Sequence, residues 1–340
     1  VKILRAYKTE LDLNNKQRQW CVRCCGVARF CYNWGLASMQ EAYEQGRKTS
    51  VLAEKKRLNH LKDEQYPWLR ETPYVVLESA FDNLKRAYDN FFRRVRNGEK
   101  QVGFPQPKSR KRGLGSFTLR GSITIEPNRV KLPRIGWLRL KERGYLPSEK
   151  DCHLLGVTIS ERAGRWYISA QVEQDVPDVV PGKGDPLGVD FGISALAVCS
   201  TGKVFENPRA LSSAMRRVKS LQREVSRRQK GGKNRSKSVR KLARAYARVA
   251  NVRRHLLHEV SHYLTAKTKP REIVLEDLNV EGMLRNHPLA QAISDVAWGE
   301  LRRQIEYKGQ WYGVHVRLAD QWYASTKTCS ACGHKQDMPL

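Results

Sequence analysis

Apolar and polar positions alternate at the start of the chain, with Ile3, Ala6 and Tyr7 set among Lys2, Arg5 and Lys8, and this period of two predicts a strand over Val1–Tyr7. Asn14 or Asn15 then offers a helix N-cap. Trp20, Cys24, Val27, Cys31 and Trp34 follow at spacings of four and three, which puts them on one apolar stripe of a helix. Charged helices continue to about Asn97 and carry Leu77, Phe81, Leu84, Tyr88 and Phe91-Phe92. Gly103-Phe104-Pro105-Gln106-Pro107 stops that pattern. Six short alternating runs bounded by turn residues come next: Ser116–Leu119, Ile123–Ile125, Val130–Leu132, Trp137–Leu140, Leu154–Ser160 and Trp166–Val172. Their spacing predicts a small β-barrel, with Val1–Tyr7 as a further strand and the helices as an insertion. Pro177 through Pro186 reads as a linker.

Beyond it, Leu187-Gly188-Val189-Asp190 is a short apolar strand with an aspartate, followed by a Gly turn and Ala195-Leu196-Ala197-Val198-Cys199. Ser200-Thr201-Gly202-Lys203 turns the chain back into Val204-Phe205. Leu211 to Thr265 is helical and intensely basic, broken at Gly231-Gly232. A second apolar strand, Ile273-Val274-Leu275, ends in Glu276-Asp277-Leu278-Asn279. Asp295 to Tyr312 predicts one amphipathic helix through Trp298, Leu301, Ile305 and Trp311, and Val314–Leu318 predicts a strand. A strand, hairpin, helix, strand, helix and strand around two carboxylates fit a ribonuclease H-like α/β layer.

Charge narrows the function. The 340 residues hold 63 Lys and Arg against 34 Asp and Glu, a net charge of +29 with a pI near 10.0. Such an excess suits a polyanion, because each neutralised phosphate releases counterions. Arg216, Arg217, Lys219, Arg223, Arg227, Arg228 and Lys230 are too dense to pair at i,i+4 with the few acids nearby. Lys108-Ser109-Arg110-Lys111-Arg112 is a basic loop suited to clamping phosphates. No apolar run approaches the ~18 residues of a membrane span, and the start carries no secretory signal. The eight cysteines are unevenly spaced, which reads as a reduced, cytosolic chain rather than a disulfide framework.

A lone aspartate on a strand is ordinarily a satisfied polar group at a strand end. Asp190 gains weight from Glu276, because paired carboxylates on neighbouring strands are how metal-dependent phosphodiester hydrolysis is commonly built, holding Mg²⁺ that activates water and stabilises the leaving oxygen. Cys21-Val22-Arg23-Cys24 has metal-knuckle spacing, but Cys24 and Cys31 lie on the apolar stripe and read as core. Thr328-Cys329-Ser330-Ala331-Cys332-Gly333-His334 is a half-site for tetrahedral Zn²⁺, with Cys329 and Cys332 as ligands. His334 and His315 are substitutes for the missing pair, though His334 stands at no usual ligand spacing, and two free thiols are the plainer alternative.

Seven pieces run in order along nearly the whole chain: Ala28-Arg29-Phe30-Cys31-Tyr32-Asn33-Trp34, Gly103-Phe104-Pro105, Val130-Lys131-Leu132-Pro133, Gly188-Val189-Asp190-Phe191-Gly192, Ile273-Val274-Leu275-Glu276-Asp277-Leu278, Ser294-Asp295-Val296-Ala297-Trp298 and Ser325-Thr326-Lys327-Thr328-Cys329-Ser330-Ala331-Cys332-Gly333. Through them the chain resembles TnpB, the transposon-encoded RNA-guided nuclease family similar to miniature type V CRISPR effectors. The resemblance implies an α+β and α/β multidomain protein: a wedge β-barrel over residues 1–10 and 101–180, a helical recognition insertion over 11–100, a RuvC nuclease domain over 183–324 and the start of a zinc finger over 325–340. It carries over Asp190 and Glu276 as the first two RuvC carboxylates, and Cys329 and Cys332 as the first zinc pair. By position in the family, the helix around Tyr74–Arg94 and the loop Ser116–Ser122 with Arg120 are candidates for reading a short DNA motif.

The family pattern continues with a second CxxC and a third catalytic aspartate. Residues up to Leu340 contain neither, and the expectation is that a C-terminal segment beyond Leu340 supplies them. The implied activity is Mg²⁺-dependent cutting of double-stranded DNA beside a flanking motif, directed by a guide RNA from the transposon end, with one chain per RNA. The alternative is a nuclease-dead relative that uses the same guide to occupy promoters as a repressor. A weaker third reading is a transposase that joins DNA ends itself. Asp320 is the nearest substitute for the third acid, and reads as an ordinary loop or strand-end carboxylate.

Overall fold

The computed structural model describes residues 2–147 and 152–320, all but the Arg112 side chain, and the chain divides into two compact units, Lys2–Val176 and a second beginning at Pro177. In the first, β1 (Lys2–Asp12) runs past the predicted end at Tyr7, because Thr9 and Leu11 turn fully inward. Asn14 closes a capping box at the next element: the Gln17 N–H donates to Asn14 Oδ1 at 2.9 Å, and the Asn14 N–H donates to Gln17 Oε1 at 3.1 Å. That cap starts the helix α1 (Asn15–Glu44), and α2 (Val51–Leu61) and α3 (Tyr74–Arg96) follow.

The six short strands are β2 (Ser116–Leu119), β3 (Thr124–Glu126), β4 (Arg129–Leu132), β5 (Gly136–Leu140), β6 (His153–Arg162) and β7 (Arg165–Asp175). They join β1 in one antiparallel sheet ordered β2-β6-β7-β1-β5-β4-β3. β1 pairs with β7 from Lys2 opposite Asp175 to Leu11 opposite Trp166, and its end pairs with β5. The buried face of that sheet, including Leu119, Val130, Leu138 and Ile168, shares one core with Trp20, Cys24 and Cys31 of α1 and with Phe81 and Leu84 of α3.

The helices meet closely at Gly35, where an added Cβ would fall 2.7 Å from Phe81 Cε1 and 2.9 Å from Leu84 Cδ2. Overfilling a packed core of this kind costs about 2 kcal/mol. Gly35→Val is therefore expected to destabilise this unit by that amount in urea unfolding, and an unchanged midpoint would contradict the close crossing.

The second unit begins with β8 (Leu187–Asp190), β9 (Ala195–Cys199) and β10 (Val204–Glu206). Two long helices follow, α4 (Ala210–Arg227) and α5 (Lys233–His262), the latter ending in a π-helical turn over Tyr263–Lys267. Then come β11 (Glu272–Leu275), the single turn α6 (Val280–Met283), α7 (His287–Val296), α8 (Trp298–Tyr312) and β12 (His315–Leu318). The sheet order is β10-β9-β8-β11-β12. β8, β11 and β12 run parallel, while β9 is antiparallel to both of its neighbours. Leu187, Val189, Ile273 and Leu275 form a core with Leu257 and Leu264 from the end of α5 and with Leu301 and Ile305 of α8.

One predicted element differs. Asp295 to Tyr312 is not a single helix: Ala297, at φ +59°, breaks it, and Asp295 belongs to the end of α7. Alanine carries no breaking signal, so the apolar periodicity runs across the break. No described helix is long and apolar enough to cross a membrane.

Candidate functional site

Two strand ends build the candidate site. In β8 the buried residues are Leu187 and Val189, and Asp190 emerges exposed at the carboxyl end. In β11 Ile273 and Leu275 are buried, and Glu276 follows them into solvent. The parallel register pairs Leu275 with Val189, so the next residues along, Glu276 and Asp190, flank each other at the carboxyl edge of the parallel strands. Open α/β sheets take ligands outside that edge. Asp190 also pairs with Val198 of β9, whose side chain is exposed.

The electrostatics agree with the register. Partial burial, then the Asp190 charge, and then a hydrogen bond shared with Asp190 push the Glu276 carboxyl above its ordinary range. Two hard oxygen donors facing each other in contact with solvent fit Mg²⁺ or Mn²⁺, since a cation removes the repulsion that raises Glu276. Asp277 is taken up elsewhere, bound to Arg302 at 2.8 Å. Asp320 lies just past β12 at the same sheet edge, one residue beyond Ala319, whose N–H donates to the Leu275 carbonyl at 2.8 Å. Among the described residues no three His, Cys, Asp or Glu side chains converge on one point.

The folded state holds the Glu276 proton to a higher pH than the unfolded state, whose value lies near 4.5. The group's contribution is therefore favourable below that value and is lost as pH rises through the folded one. Without divalent ions, Glu276→Gln should match the wild type near pH 4 and exceed it at pH 7, by about 0.5 kcal/mol because the pair is exposed and screened. Thermal melts at both values check this; a less stable variant at pH 7 would contradict it.

The two cysteine motifs separate. Cys21 and Cys24 are buried and free, and burial raises both thiols, Cys21 to about 12, so they pack rather than ligate. Cys329, Cys332 and His334 lie outside the described residues. His315 is exposed on β12, where Nδ1 sits 3.2 Å from Glu272 Oε1.

The basic residues divide by partner. Arg216, Arg217, Lys219, Arg223 and Arg227 lie along α4, and Lys230 is exposed in the loop beyond. Open grooves on α4 are lined by Arg216, Arg217 and Ser220, and by Lys219, Arg223 and Arg227. Arg228 corrects the expectation of an uncompensated run: it reaches Glu224 at 3.5 Å. Glu224 also accepts from Ser238 Oγ at 2.7 Å and so ties α4 to α5, as does the Gln222–Tyr246 hydrogen bond at 2.8 Å.

In the first unit, Asn33 grips the backbone of Lys108, accepting its N–H at 2.7 Å and donating to its carbonyl at 2.9 Å. The Lys108 ammonium sits 4.1 Å from the centroid of the Tyr32 ring, and the burial there lowers its pKa. Arg110 and Lys111 stand exposed in the turn that follows. Arg120 is bound to Asp82 at 3.2 Å, and Tyr74 lies exposed under the ammonium of Lys62.

Asn207, Arg253 and Asp295 have structural partners that no sequence pattern assigns. Asp295 is buried at the end of α7, accepting the Leu211 N–H at 2.9 Å and Arg253 Nη2 at 2.5 Å. Asn207 Nδ2 donates to the Ile193 carbonyl at 2.7 Å. The available signal is the Ser294–Trp298 motif, whose aspartate looks like a helix start.

These features define a mixed α/β protein with paired carboxylates at a parallel sheet edge and an arginine-rich helical face. The fold is similar to that of the protein in a Cas12f1–sgRNA–target DNA complex, with a TM-score of 0.55, 12% identity, and coverage of 99% of this chain and 92% of that one. The family model described as "Probable transposase" matches residues 169–287, which include Asp190 and Glu276. A "Cas12f1-like, TNB domain" model matches residues 298–338. A "Helix-turn-helix domain" model of the same group matches residues 3–48, which here form β1 and α1.

The chain is 35% identical to a "Putative RNA-guided DNA endonuclease" of Streptomyces pristinaespiralis, over 98% of its own length and 81% of that protein's. It is 32% identical to the "Putative RNA-guided DNA endonuclease InsQ" of Escherichia coli K12, over 98% and 84%. The chain belongs to the TnpB family that these relatives represent.

Proposed function

We propose that this protein is an RNA-guided DNA endonuclease whose cutting site contains Asp190 and Glu276. The observation that carries the reading is the Val189–Leu275 register, which sets two carboxylates side by side at the carboxyl edge of parallel strands. The strand order and directions of the second unit support a ribonuclease H-like, RuvC-type nuclease domain. The first unit is read as a wedge barrel over 1–10 and 101–180 with a helical recognition insertion over 11–100. Residues 325–340 are read as the start of a zinc finger, with Cys329 and Cys332 on Zn²⁺.

Asp190 and Glu276 would hold Mg²⁺, which when bound supplies an activated water and neutralises the leaving oxygen. The chain's own part is to hold both carboxylates on short buried strands, so that little ordering remains when substrate arrives. Arg216, Arg217, Lys219, Arg223, Arg227 and Lys230, without ion-pair partners among the described residues, would bind phosphate backbone, with Arg110 and Lys111 doing the same from the first unit. Base pairing with guide RNA would supply sequence choice, while the protein reads backbone shape and a short flanking motif on the target duplex. Retention of both carboxylates favours cutting over guided binding alone.

The test is reconstitution of the full-length protein with guide RNA and Mg²⁺ on matched and mismatched duplexes. Cutting of the matched duplex only is expected. Guided binding without any cut would support a repressor, strand joining without a guide would support a transposase, and either would overturn the reading.

A further inference from the structure

We propose that Asp295 is a positioning residue for the nuclease site: it fixes the start of α4 and, through Asn207, the turn that follows Asp190. The proposal rests on the reading of Asp190 as a metal ligand. α4 opens without a cap of its own, since Arg209, at its N-cap, adopts φ +45° and makes no side-chain cap hydrogen bond. Asp295 supplies that cap from α7: both carboxylate oxygens lie within 3.2 Å of the Leu211 backbone nitrogen, where a negative charge also complements the helix dipole. The Asp295 side chain is 6% exposed and its charge is balanced by Arg253 of α5. One buried carboxylate therefore joins three helices.

The link to the catalytic edge is short. The segment before α4 holds Asn207, which donates to the Ile193 carbonyl at 2.7 Å, three residues past Asp190, while its own Oδ1 accepts the Arg209 N–H at 2.9 Å. The turn between is tight, since an added Cβ on Gly192 would fall 2.8 Å from the Ala195 carbonyl. Asn207, Ala210, Arg253 and Asp295 line one small enclosed seam against Leu196 of β9.

Both ends of the device carry backbone strain: Arg209 at φ +45° just before α4, and Ala297 at φ +59° just after α7. Non-glycine residues persist in that region where surrounding contacts over-determine them. Asp295 lies beside both ends. It thereby couples the basic helix α4 to the turn that aims Asp190.

The experiment measures Mn²⁺ affinity by electron paramagnetic resonance on the full-length protein, and guided cutting alongside it, for wild type, Asp190→Ala, Asp295→Asn, Asp295→Ala, Asn207→Ala and the double variant Asn207→Ala/Asp295→Ala. Asn207→Ala leaves the buried Asp295–Arg253 pair intact and so guards against misfolding of the alanine variant at 295. Outer partners of metal ligands are worth about 10- to 100-fold in affinity. Asn207→Ala and Asp295→Ala should weaken Mn²⁺ binding about tenfold, with Asp295→Asn between them and wild type. Residues acting through one path are not additive, so the double variant should lose no more than the larger single.

Mn²⁺ affinity within about twofold of wild type in all variants, even with lowered melting temperature, would assign Asp295 a purely structural role. Wild-type Mn²⁺ binding that depends on Asp190 without guided cutting would sink the endonuclease reading while leaving this proposal standing on the metal data. Absence of Asp190-dependent Mn²⁺ binding in the wild type would overturn both.

Discussion

Asp190→Ala is expected to lower guided DNA cutting at least about a thousandfold while leaving guide RNA and target affinity within about twofold of wild type. The size follows from the charge such a metal stabilises in the transition state, several kcal/mol, with each 1.36 kcal/mol worth about tenfold. The selectivity follows from placement. Asp190 is exposed at the end of β8, whose buried residues are Leu187 and Val189, so removing its carboxylate leaves the core of that strand untouched. Glu276→Ala should behave alike, because Glu276 follows directly on β11, one residue past the Leu275–Val189 pair. Single-turnover cutting and filter binding on the same preparations separate the two effects. Loss of binding in parallel with cutting would make Asp190 a structural residue.

Replacing Arg216, Arg217, Arg223 and Arg227 together by glutamine should weaken RNA and DNA binding and flatten its salt dependence. These four side chains have no ion-pair partner among the described residues, so replacing them breaks no ion pair of the described fold. Each phosphate left without its arginine lowers the log–log slope by about 0.9 on a duplex and about 0.7 on a single strand, so four such phosphates amount to a change of about 3. Arg228 stays arginine in this variant, because its partner Glu224 also holds Ser238 of α5. An unchanged slope would mean that this face of α4 is merely solvated.

Much of the fold is legible in the sequence because local period and tertiary burial coincide in it. The six short strands of the first unit stand where alternation puts them, and the stripe through Trp20, Cys24, Val27 and Cys31 is buried as a stripe. Asp190 and Glu276 are legible for a related reason: each ends a short apolar run, and such runs become neighbouring strands of one sheet. What stays hidden depends on partners far along the chain. Nothing local marks Asn33 as the clamp on Lys108, or Asp295 as the cap of a helix that starts 85 residues earlier at Ala210. Ala297 hides a helix break because its left-handed backbone falls on a residue type that carries no turn signal. The basic run looks wholly uncompensated in sequence because its acids are sparse, yet the single carboxylate of Glu224 serves both Arg228 and Ser238.

Anomalous scattering of Mn²⁺ in crystals of the full-length protein with guide RNA and matched DNA tests the pairing of Asp190 and Glu276 on a metal. A peak with one oxygen of Asp190 and one of Glu276 at roughly 2.0–2.2 Å is expected, and its loss in Asp190→Ala. A peak held by other carboxylates, with Asp190 and Glu276 both outside the coordination sphere, would contradict it.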